Sequence, residues 1–418
     1  MAFFLELTRS ILAVIPQILF QPGYALFFWL LMLLLAMQYR RVHQLEVRLY
    51  GRAREPIWRG LLTALGYGLL GGVAGSYLLV LTGVTVGRND IAYLWPLALL
   101  LMLVHPRFVC FSYAGGLVSL SYLIFGWPQV NVAGLVGLVA ILHIVEGVLV
   151  YFSGEYQATP VYVRHGTGQV VGGFSLQRFW PVPIVILLMM SVPPGLQGEA
   201  IEMPAWWPLI APATDDPSLV PVMWPVMAAL GYGDLALTRS PGEKRRRTAL
   251  HLVLYSLTLL VLAVAASRWT PLLWVAALAS PGLHELMIQV GLQGEMQGRP
   301  LYRHPARGVM LLDVWPGGYG AAMGLAQGDI ILSVNGQPVN SRHEFEQALL
   351  ASSWYLELTG ERDGELFRVD TNRFRYGPGA MGVVLVPGPG DPPHVEIQRA
   401  GFLARVLGRW LRFPRRQI

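Results

Sequence analysis

The sequence predicts an α-helical polytopic membrane domain of about eight or nine transmembrane helices, followed by a small soluble α+β domain and a C-terminal amphipathic helix. Three observations carry this. Of 418 residues, 54% are hydrophobic and 13% are charged, where an ordinary soluble domain has roughly a quarter charged. Long apolar stretches occupy residues 1–290, and from about residue 300 they give way to alternating apolar positions with recurrent turn signals. Residues 396–418 then set arginines opposite an apolar stripe.

Crossing a hydrocarbon core of about 30 Å takes roughly 17–25 helical residues. Candidate spans lie near 22–38, 58–82, 91–104, 108–125, 131–152, 179–192, 219–237, 248–266 and 270–287. Those at 91–104, 179–192 and 270–287 are short, so some segments should be tilted, broken or re-entrant. Residues 9–20, interrupted by Pro16 and stopped by Pro22, read either as an interfacial half-helix or as a lead-in to the first span. Met1 to Thr8 lack a basic n-region and no small-residue cleavage site follows Phe20, so no cleavable signal is expected.

The net charge of +6 implies no nucleic-acid partner, because membrane proteins also need positive charge on their cytoplasmic loops. Arg40, Arg41, Arg48, Arg52, Arg54, Arg59, Arg107, Arg164, Arg178, Arg239 and the run Lys244 to Arg247 place fourteen basic residues on one side of the alternating loops. The other side holds two, Arg88 and Arg268, while its longest loop, 193–218, carries Glu199, Glu202, Asp215 and Asp216. That asymmetry puts the 193–218 loop outside and everything after about residue 288 in the cytoplasm. The single cysteine, Cys110, permits no internal disulfide.

The soluble part, 300–392, begins with a strand at Val309 to Val314 and a turn at Gly317-Gly318. Ala321 to Met323 form a helical turn closed by Gly324, and Gly328-Asp329 leads into the strand Ile330 to Val334. Asn335-Gly336 suits a type I′ turn. Ser341 with Glu344 three residues on is a capping box for a helix striped by Phe345, Leu349 and Leu350. Trp354 to Leu358 and Leu366 to Val369 make a hairpin about Asp363-Gly364, and a last strand runs from Met381 to Val386. This order, with Gly308 to Val314 followed by Ala321 to Gly336, resembles the PDZ domain as bacteria use it.

PDZ domains also accompany intramembrane zinc proteases, which resemble other zincins in needing His-Glu-x-x-His. Here His284-Glu285 is followed by Leu286, Met287 and Ile288, so the second histidine is absent. His143 and Glu146 lie three apart on one helix face, toward its inner end, but a third ligand would have to come from His105 or His284 without a motif. Ser119 and Ser121 belong to no Gly-x-Ser-x-Gly elbow. No catalytic residue, bound metal or cofactor is therefore expected. Ionisable groups within a span cost about 2.5–3.5 kcal/mol on insertion scales, so His143 and Glu146 need a purpose. They are a buried hydrogen-bonded pair or groups reaching the interface, holding helices in register, or else part of a proton or ion path.

Gln38-Tyr39-Arg40-Arg41 and Leu45-Glu46 after the first span, Leu142 to Gly147 in the fifth, Pro281 to Leu286 closing the membrane part, and a PDZ-like domain directly after it together resemble the MinJ-type membrane proteins of Gram-positive bacteria over nearly the whole chain. The resemblance implies a cell-division topological determinant without catalytic activity. Such an adaptor links a DivIVA-like scaffold to the MinD/MinC-like division inhibitor at poles or septum. The competing classes are a PDZ-bearing protease with a lost or rearranged zinc motif, and a transporter or sensor.

A PDZ domain takes a peptide as an added strand, its carboxylate held by N–H groups of a glycine-containing loop. Met381-Gly382-Val383-Val384 has the form of that loop, with Phe345 and Leu349 walling the groove; alternatively 381–386 is only an edge strand, or the groove is filled by its own chain. In the tail, Trp410 and its apolar neighbours face away from Arg405, Arg409 and Arg412, the composition of an interfacial helix bound to membrane lipids. The alternative there is a helix docked on its own domain.

Overall fold

The computed structural model describes residues 2–193, 201–214, 216–352, 354–372, 381–389 and 391. The tail carrying Arg405, Arg409, Trp410 and Arg412 lies outside them. The chain opens with three helices, α1 (Ala2–Phe20), α2 (Pro22–Tyr50) and α3 (Ile57–Thr82), then a short strand, β1 (Thr85–Val86). A shorter helical hairpin follows, α4 (Arg88–Val104) and α5 (Phe111–Phe125), joined by a 3-10 turn at Pro106–Val109. After α6 (Val132–Ser153) come three strands, β2 (Thr159–Arg164), β3 (Val170–Ser191) and β4 (Leu219–Ala236), and two helices, α7 (Pro241–Ala266) and α8 (Leu272–Gln297). Among the described residues, α1, α2, α3, α6, α7 and α8 are long and apolar enough to cross a membrane.

Two expectations need correction. The stretches 179–192 and 219–237 are strands of one long antiparallel hairpin, paired from Phe174↔Ala236 to Ser191↔Leu219. Proline explains this: Pro181, Pro183, Pro221 and Pro225 would each break a helix interior, which needs the N–H that proline lacks. In addition, α1 is one continuous helix with Pro16 inside it.

A hairpin inside an apolar bundle must satisfy every backbone group. The edge of β3 opposite β4 meets this demand against α3. Pro181 and Pro183 have no N–H to offer, and their carbonyls rest on Gly68 and Gly72. Two residues further on, the Val185 N–H donates to Ser76 Oγ at 2.8 Å. Beyond it, Leu187 and Leu188 pair in parallel with β1. Pro225 and Pro221 stand opposite Val185 and Met189, so both fall on the outer edge of β4, where a donor would otherwise lack a strand partner. The other glycine face of α3, Gly71 and Gly75, admits Val145 and Leu149 of α6.

At one end of the bundle the Ile210 N–H donates to the Thr82 carbonyl at 3.0 Å, and Asn131 Nδ2 to Thr85 at 2.9 Å. The other end gathers the basic loops: Arg245 pairs with Glu155 at 3.0 Å, and Lys244 bridges Asp234 at 3.3 Å and Glu295 at 3.2 Å. Arg107 sits instead on the tip of the α4–α5 hairpin, 3.3 Å from Glu285 of α8.

The second unit follows the expected order. It comprises β5 (Val309–Val314), α9 (Tyr319–Ala322), β6 (Ile330–Val334), β7 (Gln337–Pro338), α10 (Arg342–Ala351), β8 (Tyr355–Arg362), β9 (Glu365–Asn372) and β10 (Val383–Leu385). Its sheet runs β10-β5-β6-β8-β9, with β7 beside β6. The two sharp turns adopt the positive φ angles their residues suit, 48° and 78° at Asn335-Gly336 and 52° and 87° at Asp363-Gly364. Ser341 caps α10 by accepting from the Glu344 N–H at 3.2 Å.

Replacing Gly68 by valine should cost at least about 1–3 kcal/mol, the usual penalty of overpacking, because its Cβ would overlap the Pro181 carbonyl. Gly66→Val, with nothing within 4 Å, should be tolerated apart from propensity. Thermal unfolding of both variants in detergent checks this; equal melting temperatures would contradict the contact.

Candidate functional site: the groove and the polar cluster

The edge strand β10 and the helix α10 frame the groove. The Gly382 carbonyl accepts from Trp315 N–H at 2.6 Å, and Val386 N–H donates to Met310 at 2.8 Å. Both are turned toward β5, so alternation turns the backbone groups of Val383 and Leu385 to the open edge. Gly382 has φ +75°, a conformation that favours glycine. A Cβ there would meet Gly318 and the Trp315 ring at 3.1–3.2 Å, so this glycine is required by its own domain before any ligand arrives.

The six residues expected in the groove divide by environment. Met381 and Phe345 are buried in the domain core, with Val383 and Leu349 packed at its margin. Val384 faces the other way, into the cluster of the helical domain. Val383 and Leu349 are thus the side chains best placed to touch a bound peptide.

Two polar clamps hold this unit on the basic end of the bundle. In one, Tyr162 of β2 donates to the Leu385 carbonyl at 2.6 Å and accepts from Arg342 at the start of α10. Burial raises the Tyr162 phenol above its ordinary pKa, so the hydroxyl stays protonated and able to donate. In the other, Arg54 and Tyr50 converge on the Asp313 carboxylate of β5. Burial works against the Arg54 charge, and Asp313 and Tyr50 more than offset it, so the guanidinium pKa is raised. Between them, Gly172 N–H donates to the Tyr302 carbonyl at 2.9 Å, and the Phe174 and Tyr302 rings meet edge to face at 5.6 Å. None of these cross-domain contacts was foreseen from sequence.

His143 and Glu146 lie midway along α6 rather than near its end. His143 bonds to other groups: its Nδ1 is 2.7 Å from the Val139 carbonyl and its Nε2 3.1 Å from Cys110 Sγ. His284 of α8 joins them, 3.7 Å from the same sulfur, its ring 5.2 Å from that of His143. Beside them Ser112, Tyr255 and Ser280 are linked by hydrogen bonds of 2.6–2.8 Å. Cys110, His143 and His284 are a set able to hold a metal ion. Sequence reasoning considered His284 as a ligand but missed Cys110, because no spacing rule joins residues on three separate elements.

Residues 312–353 match the PDZ domain family. The chain is also 27% identical over 233 residues to the cell division topological determinant MinJ of Bacillus subtilis strain 168. The chain is thus similar to MinJ and carries a stretch that matches the PDZ family. The matched stretch covers 56% of this chain, rather than nearly the whole, and 54% of MinJ, so the chain spans about half the length of that relative.

Tyr162→Phe removes the hydroxyl that joins Leu385 and Arg342. It should weaken docking by about 1–3 kcal/mol, the cost of a buried acceptor left without its donor. Limited proteolysis of the 298–308 connection should quicken severalfold; unchanged cleavage would show that the clamp contributes nothing.

Proposed function

We propose that this chain is a membrane adaptor of cell division which recruits division-site proteins through the β10 edge of its PDZ domain. The observation that carries this is the outward-turned backbone of Val383 and Leu385 beside α10, in a protein similar to MinJ. Because the Tyr162 hydroxyl already engages the Leu385 carbonyl, a ligand strand has the Val383 end of the groove to itself. That end adjoins the Met381-Gly382 loop, where a peptide carboxylate would be held. By resemblance to MinJ-type proteins, the partners are a MinD/MinC-like inhibitor and a DivIVA-like scaffold.

The excess of basic residues on alternate loops, Arg107 set aside, favours a multi-pass protein of the bacterial cell membrane with the PDZ domain and C-terminus cytoplasmic, at poles or septum. The β3–β4 hairpin keeps the parity of the two helices expected in its place, since it also runs up and back. The domains then divide as 1–290, 300–392 and a basic interfacial helix at 396–418. Arg405, Arg409 and Arg412 of that helix would bind anionic lipid with about 1 kcal/mol each.

Leu349→Glu places a charge at the margin of the groove without altering β10. In dividing cells it should cut septal recruitment of fluorescent partner proteins at least tenfold, while the variant itself still inserts in the membrane. A reporter fused after Ile418 should be active only in the cytoplasm, and one near Asp216 only outside. Normal recruitment by a folded Leu349→Glu protein would sink the groove as the binding surface.

A further inference from the structure

Cys110, His143 and His284 have no part in peptide recruitment, yet three elements converge to bring them together. Cys110 caps the start of α5, and His143 and His284 lie midway along α6 and α8. Their ligand atoms all fall within 4.8 Å of one another, with Sγ 3.1 Å from Nε2 of His143 and 3.7 Å from Nε2 of His284. Both histidines are buried, at 3% and 8% exposure.

We propose that these three side chains bind one divalent transition metal of the zinc class. Tetrahedral zinc with Zn–S near 2.3 Å and Zn–N near 2.0–2.1 Å sets its ligand atoms about 3.3–3.6 Å apart, and the observed separations straddle that range. One thiolate with two imidazoles selects zinc, cobalt or a similar ion over magnesium or calcium, which prefer oxygen. The second coordination layer is in place for His143. His143 Nδ1 faces the Val139 carbonyl at 2.7 Å, which fixes the proton on Nδ1 and leaves the Nε2 lone pair directed at the site. His284 presents Nε2 to the same sulfur, and its Nδ1, on the far side of the ring, is buried without a hydrogen-bond partner among the described residues.

Charge balance points the same way. Glu146 stands three residues beyond His143 on α6, within electrostatic reach of the Cys110 sulfur. On binding, the thiol proton passes to solvent as the sulfur–metal bond forms. The thiolate and the Glu146 carboxylate then neutralise the divalent ion in an apolar interior that would not tolerate either charge alone. Three protein ligands leave the fourth position to a water molecule. The ion would tie α5, α6 and α8 together at one point.

The test uses the full chain in detergent, carrying a tag without histidine, stripped with chelator and titrated with cobalt(II). The expected result is one cobalt per chain, with the near-ultraviolet thiolate-to-cobalt band and the visible bands of a tetrahedral site, all displaced by zinc. Cys110→Ser should abolish the thiolate band, and His284→Ala should weaken binding at least tenfold. Glu146→Gln should lower affinity while leaving the band in place. Wild-type protein that takes up less than one cobalt per chain, or shows no thiolate band, would overturn the proposal, as would Cys110→Ser protein with an unchanged spectrum. Should His284→Ala fail to fold, the near-isosteric Cys110→Ser variant, checked by gel filtration, decides alone.

Discussion

The structure depends on one demand: a β-hairpin threaded through an apolar helical bundle must leave no backbone N–H or C=O without a partner. In hydrocarbon each such group would cost several kcal/mol. The chain meets the demand with few residue types. Prolines delete donors along the hairpin edges that have no strand partner, glycines of α3 let the β3 carbonyls approach, and Ser76 supplies the acceptor for Val185. Small residues on a helix that must pack closely are common in membranes. Here the same helix uses two glycine faces, one for β3 and one for α6.

This arrangement carries through to the soluble end. The lower part of β3 pairs with β2, and β2 supplies Tyr162 to the edge strand of the PDZ domain. Next to it, Gly172 of β3 bonds Tyr302 on the connection between the two units. The PDZ domain therefore rests on a continuation of the hairpin sheet, and Asp313 is held independently by Arg54 after α2. A groove mounted in this way is presented in a fixed direction, which reduces the ordering cost when a partner binds.

The sequence made the soluble domain legible almost residue by residue, because its signals are local. Asn335-Gly336 and Asp363-Gly364 specify their turns by φ alone, and Ser341 with Glu344 specifies a cap. The membrane part was legible in order but not everywhere in type. Stretches such as 179–192 satisfy a hydropathy criterion whether helical or extended, and the deciding signal, Pro181 and Pro183 in alternation, was outweighed by apolar length. Short α4 agrees with the brevity read at 91–104, α5 is shorter than the span read at 108–125, and their polar tip is where Arg107 finds Glu285. What could not be read was contact between distant elements. Neither the clamp at Tyr162 nor the company of His143 follows from any spacing along one helix.

Recruitment through the β10–α10 groove is the claim on which the functional account turns. It is tested most directly by photo-crosslinking in dividing cells, with a photoreactive amino acid placed at Leu349 beside the groove and, separately, at Leu366, exposed on the opposite edge strand β9. The account predicts that a division protein is captured from position 349 and not from 366. Equal capture from both positions, or capture from 366 alone, would contradict it.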